Sequence, residues 1–177
     1  MADDSAEANL RLPVFDSYAM AIGYVCIEWA LLEIAFDRLM RIVMGWTHRS
    51  EVTHALTVNI DMRSKMKILL AVSFISPPSD RWFDDLKDLC RTVEEALRPM
   101  RNRFVHDIWF GPDEPFTRRT RGTKFSKPQS FQPVQLSNYV DTPTPVAEVW
   151  AFVRSIKEAS ERLNRSANEY YELTACE

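Results

Sequence analysis

Residues 82–109 read WFDDLKDLCRTVEEALRPMRNRFVHDIW, and this stretch decides the fold. Trp82, Leu86, Leu89, Val93, Ala96, Met100 and Phe104 recur at intervals of three and four, which predicts one apolar seam of a long helix against helical partners. Pro99 interrupts the seam. A proline there lacks an N–H and crowds the carbonyl four residues back, so the helix is expected to kink or restart between residues 96 and 99.

The same periodicity extends outward. Before this helix, Ser79 or Asp80 follows a Pro-Pro turn and suits a helix cap. Residues 49–75 read as helical with a break near Asn59–Asp61, and Arg63, Lys65 and Lys67 read as a solvated face. The stretch from about Ser17 to Met44, closed by Gly45, is apolar nearly all round, as in the central helix of a bundle. Its Glu28, Glu33, Asp37, Arg38 and Arg41 argue for a core helix over a membrane span. At the other end, Val149, Val153, Ile156, Ser160, Leu163, Ala167 and Tyr170 predict a last helix, with Thr144 as its cap and Pro145 at its first position. The expected fold is all-α: an antiparallel bundle of four to five helices with a polar loop or short hairpin before the last helix. Residues 1–14 are expected to be a disordered acidic lead, and 15–177 a single domain with a basic insertion at about 111–140.

Composition excludes several classes. The four glycines are too scattered to write a dinucleotide-binding, P-loop or nucleophile-elbow motif. Three cysteines without a C-x-x-C pair, and an N-terminus without a basic and apolar leader, point to a reduced, cytoplasmic protein. His48 and His54 have no partner at metal-ligand spacing, so no metal and no cofactor is expected. Charge is uneven. Residues 98–127 hold eight Lys/Arg against three carboxylates, a local +5 in a chain of net −3. Arg98, Arg103, Arg118, Arg119, Arg121 and Lys124, with Lys127, Phe116 and Phe125 nearby, suit a basic arm along a phosphate backbone with aromatic stacking.

Turning about 100° per residue from Met100 places Arg101, Asn102 and His106 away from the seam, beside Val105 and Trp109. A polar trio flanked by apolar residues suits a second contact surface, either a dimer face or a ligand cleft. Histidine exchanges a proton near neutral pH, arginine offers a rigid donor fork to phosphate, and the amide orients them. Those are the groups that metal-free RNA cleavage needs. Arg101 and His106 lie about 140° apart on an ideal helix, so one copy is not expected to close around one phosphate and a second motif is called for.

Arg101-Asn102-x3-His106, late in the third long helix of an all-α chain, resembles the R-polar-x3-H signature of HEPN domains (higher eukaryotes and prokaryotes nucleotide-binding). The resemblance covers residues 16–110 and 143–173. It implies a homodimer with facing motif helices and a metal-independent endoribonuclease, with Arg101 and His106 as catalytic pair and Asn102 in support. It also leaves open a non-catalytic binding or assembly module, and a toxin held by a protein inhibitor or antitoxin. No membrane partner is expected.

Overall fold

The computed structural model describes residues 13–46, 51, 55, 57, 59–121 and 139–174. The protein is mainly α-helical, with one small sheet. In chain order the elements are α1 (Pro13–Val43), α2 (Met62–Ile75), α3 (Asp80–Thr92), a π-turn (Val93–Leu97), α4 (Arg98–His106), β1 (Ile108–Phe110), β2 (Phe116–Arg121), β3 (Tyr139–Thr144) and α5 (Val146–Thr174). Residues 1–12 of the expected lead lie outside the described residues, while Pro13 and Val14 are already helical. Proline is well suited to a helix start because its missing N–H would have no partner there.

Local chemistry sets the helix ends. Gly45 closes α1 at φ +67°, with Gly45 N–H donating to Ile42 and Trp46 N–H to Arg41, the double bond that lets a left-handed residue stop a helix. Asp61 caps α2 by accepting from the Ser64 amide at 3.1 Å, and Ser79 caps α3 by accepting from the Trp82 amide at 3.2 Å. The start of α5 differs from expectation. Thr144 belongs to β3 and its hydroxyl donates to Thr142 O, so it is not the cap. Glu114, from the β1–β2 loop, accepts from the Val146 amide at 3.2 Å instead.

The Pro99 interruption takes a defined form. Arg98 N–H reaches back five residues to Val93 O, and the helix resumes as α4. That inserts one residue into the turn. The seam therefore passes from Val93 to Leu97, both buried, while Ala96 is exposed.

Contacts fix the directions of the helices. Tyr18 meets Thr144, Tyr24 meets Trp150, and Arg38 donates to Asn164 and Asn168. The first and last helices thus run parallel, which corrects an antiparallel reading for this pair. The α3–α4 rod runs against both: Trp82 touches Tyr170 near one end, Phe104 touches Phe152, and Trp109 touches Tyr18 near the other. The reason is topological: the sheet turns the chain round at one end, so α5 departs from where α4 arrives.

The sheet corrects the expectation of a loop or short hairpin. Three antiparallel strands in the order β1-β2-β3 pair Trp109 with Arg118 and Arg118 with Thr142, and Phe116 with Thr144. Alternation points Phe116 and Arg118 inward, and both are buried. β1 starts two residues after α4, so Trp109 is a strand residue and not part of the motif helix; its indole donates to Phe104 O at 3.0 Å. The expected insertion at about 111–140 therefore begins earlier, and residues 122–138 of it lie outside the described residues.

Tyr18 ties this end together. Its hydroxyl donates to Thr144 O at 2.8 Å and accepts from Phe116 N–H at 3.2 Å, and its ring stacks on Phe116 at 4.5 Å. Tyr18→Phe leaves a buried N–H and a buried carbonyl unpaired and is expected to cost about 1–3 kcal/mol, read as a lower denaturant midpoint at unchanged slope. Burial raises the Tyr18 phenol above its usual range and pushes the Cys90 thiol up to about 12. Both groups hold protons when folded that the unfolded chain releases. Their stability contribution is complete below about pH 8.5 and is lost as pH rises from there toward 12. Thermal melts across that range should fall, and alkylation at pH 8 followed by peptide mapping should mark exposed Cys26 and spare buried Cys90.

Candidate functional site

The motif sits on the last turn and a half of α4, where the π-turn has reset its phase. Arg101 Nη1 donates to Asn102 Oδ1 at 3.1 Å and stands 3.5 Å from His106 Nε2. A neutral imidazole with an unprotonated Nε2 accepts that contact. The long arginine side chain spans the angle that separates the two positions on the helix. One chain therefore brings all three groups together, and the geometric reason for a second motif falls away.

Arg101 is anchored from α1. Its guanidinium lies 5.8 Å from the Trp29 ring centroid, and the Trp29 indole donates to Glu33 at 2.9 Å. These residues, with Asn102, Asp61, Met62, Arg63 and Arg98, line an open cleft of about 210 Å³. The volume suits a phosphate with part of its nucleoside rather than a large ligand. Arg101 Nε and Arg98 Nε are buried without a hydrogen-bond acceptor among the described residues. Buried donors of that kind carry a desolvation cost that an entering anion removes.

The electrostatics are balanced. Glu94 holds Arg63 at 2.9 Å and Arg98 at 2.8 Å. Glu33 and Asp61 add two carboxylates, and the Ser64 hydroxyl and amide hold Asp61 below the usual carboxylate range. The cleft is a place where fixed donors are aimed, not a basic funnel. Among the described residues no group of three His, Cys, Asp or Glu side chains is placed to hold a metal ion.

The basic arm is corrected in part. Arg118 is buried: its guanidinium lies over Phe104 at 5.1 Å, 3.7 Å from Met100 Sδ and 3.9 Å from Asp107. It packs sheet to helix and does not project toward a polyanion. Arg119 makes two 2.7 Å bonds to Asp141 and lies over Phe110 at 4.6 Å. That bidentate pair holds the Asp141 carboxyl below its usual range. Arg98 is engaged by Glu94, and Arg103 is exposed on α4. Arg121 lies on β2 with no described side chain, and Lys124, Lys127, Phe125, His48 and His54 lie outside the described residues.

Sequence reasoning missed Trp29 as the floor of the cleft and Asp61 and Met62 as its wall. Lys65, read as solvated, is buried in an ion pair with Asp37 at 2.8 Å and ties α2 to α1. Two interleaved periodicities on α1 were the available signal. Tyr18, Val25, Trp29, Leu32, Phe36 and Leu39 form the buried one.

No protein-family model, no curated protein and no solved structure matches this chain. By length and composition Phe15–Val43 is apolar enough to cross a membrane, and a third of its most apolar window is buried in the bundle.

The structural role of Arg118 is testable. Arg118→Ala removes a buried guanidinium and should cost about 1–3 kcal/mol in urea unfolding, whereas Arg119→Ala, at a half-exposed pair, should stay within about 0.5–1 kcal/mol. Equal, small effects would restore Arg118 to a surface role.

Proposed function

We propose that the chain is a cytoplasmic HEPN-like helical-bundle protein that cleaves RNA without a metal ion. The observation that carries this reading is the meeting of Arg101 with Asn102 at 3.1 Å and with His106 at 3.5 Å, where Arg101 and Asn102 line one cleft.

The chemistry follows from the groups. His106 Nε2 takes the proton of a ribose 2′-OH as that oxygen attacks the adjacent phosphorus. Arg101 turns its donors from Asn102 and His106 to the non-bridging oxygens of the phosphorane, where negative charge builds up. Asn102 holds the guanidinium in line. The bond from phosphorus to the 5′-oxygen then breaks, and that oxygen takes the proton that His106 had accepted, which returns the imidazole to its starting state. The products are a 2′,3′-cyclic phosphate and a free 5′-hydroxyl, and neither step requires a cofactor. Activity in a homodimer with paired motifs belongs to the same reading.

The balanced charge of the cleft favours a second reading, a non-catalytic helical binding or assembly module. With Arg63 and Arg98 held by Glu94, net attraction for a long polyanion is weak.

The deciding measurement is cleavage of mixed-sequence single-stranded RNA by the purified chain in EDTA. Cyclic-phosphate ends are expected, with a loss of about 10²-fold or more in His106→Ala and in Arg101→Ala. Arg101→Lys keeps the charge and loses the fork, so it should recover only part of the rate. No cleavage by a folded wild-type chain selects the binding module. Cleavage unchanged in both variants removes the motif from the mechanism.

A further inference from the structure

α1 carries a second apolar stripe on the side turned away from the bundle. Met20, Tyr24, Ile27, Leu31 and Ile34 recur at spacings of four, three, four and three, and each is 43–59% exposed. That is the heptad spacing of a helix seam looking for a partner helix. Ala19, Gly23, Cys26 and Ala30 lie beside it, all exposed. A Cβ added at Gly23 would meet nothing within 4 Å, so the face has an open notch at that point. Trp150 of α5 touches the edge of this face through the Tyr24 ring at 5.2 Å, and the rest of it stays exposed among the described residues.

We propose that the occupant is the α1 helix of a second copy of this chain, packed antiparallel about a two-fold axis at Ile27. The stripe is self-complementary in that one register. It sets Met20 against Ile34, and it sets the large Tyr24 and Leu31 against the small Ala30 and Gly23. It also sets exposed Asp16 against exposed Arg38, so opposite charges meet at both ends of the seam. Arg38 is already fixed along this edge by its bonds to Asn164 and Asn168 at 2.9 and 2.8 Å, so little side-chain freedom remains to be lost on pairing. A lipid surface would gain nothing from either the size match or the charge match.

The arrangement has a consequence for the cleft. Glu33 lies about 40° round α1 from Trp29, so the cleft opens on one flank of the helix. A two-fold axis that exchanges antiparallel helices runs perpendicular to the plane containing them. Whatever lies on one side of that plane therefore stays on that side in both copies. Trp29 lies about 200° round α1 from Ile27, so each Arg101–His106 set sits behind its own α1, on the side away from the seam. This inference is carried by α1 itself and does not rest on the proposed nuclease, whose facing motifs call for a different contact. A dimer through α1 without RNA cleavage leaves it standing and overturns the nuclease; cleavage by a monomer does the reverse.

Sedimentation of the full chain tests the state, and cysteine pairs test the register. The wild type is expected to sediment as a dimer, and Ile27→Asp to halve the mass at unchanged helical circular dichroism; Leu31→Asp provides a second exposed position. In a background of Cys26→Ser and Cys176→Ser, Ile27→Cys should oxidise to a linked dimer. Met20→Cys and Ile34→Cys should each fail to link alone and should link to one another when mixed. Self-linking at both 20 and 34 means a parallel pair and overturns the register. A wild-type monomer overturns the proposal. A monomer that floats with phosphatidylcholine vesicles, and loses flotation in Ile27→Asp, assigns the face to lipid instead.

Discussion

One buried hydroxyl organises the end of the molecule on which everything else is phased. Tyr18 Oη takes the Phe116 N–H and gives its proton to Thr144 O, joining α1, the second strand and the lead-in to α5 through a single atom. The backbone groups it serves belong to strand ends, where ladder pairing stops and a buried amide has no neighbour. Without this atom the three segments would still be apolar enough to collapse, but nothing would fix the level at which α5 leaves the sheet. The constant stagger between α1 and α5, seen again at Tyr24–Trp150 and at Arg38–Asn164, starts from that level.

The second constraint is Pro99. Its missing N–H leaves a gap in the helical ladder, and the chain answers with a five-residue turn from Val93 to Leu97. One extra residue rotates everything after it by about 100° relative to an uninterrupted helix. This rotation exchanges Ala96 for Leu97 in the core and sets the direction in which α4 presents Arg101 toward Trp29. The proline is outside the motif and yet decides which part of α1 the motif meets.

The regular part of this architecture was legible in the sequence because burial repeats along a helix. The seams of α3 and α5, the Gly45 stop, the Ser79 cap and the break before Asp61 all follow from spacing or from one residue's backbone preference. What was not legible has physical reasons too. Extrapolating a helical wheel past His106 put Trp109 on the motif face, because no glycine or proline marks that end; the run Ile108-Trp109-Phe110, three strand-favouring residues, was the signal that mattered. Thr144-Pro145 looked like a cap because caps are local, whereas the acceptor that serves Val146 comes from Glu114, 32 residues away. Arg118 looked like part of a basic arm because a charge count ignores the direction of a side chain, and strand alternation turned this one inward. The distance between Arg101 and His106 was overestimated because the wheel measures Cα directions and not the reach of a guanidinium.

The same distinction between direction and reach governs α1. A helix apolar all round reads as central, surrounded by other elements. Here the bundle encloses only one side, and the other side is equally apolar with its own heptad spacing. A chain that kept this face only for packing inside one copy would gain stability from neither Ile27 nor Ile34, since both remain more than half exposed. Polar residues at those positions would cost the fold nothing and would limit aggregation. Their apolar character is what the proposed pairing of two α1 helices would use.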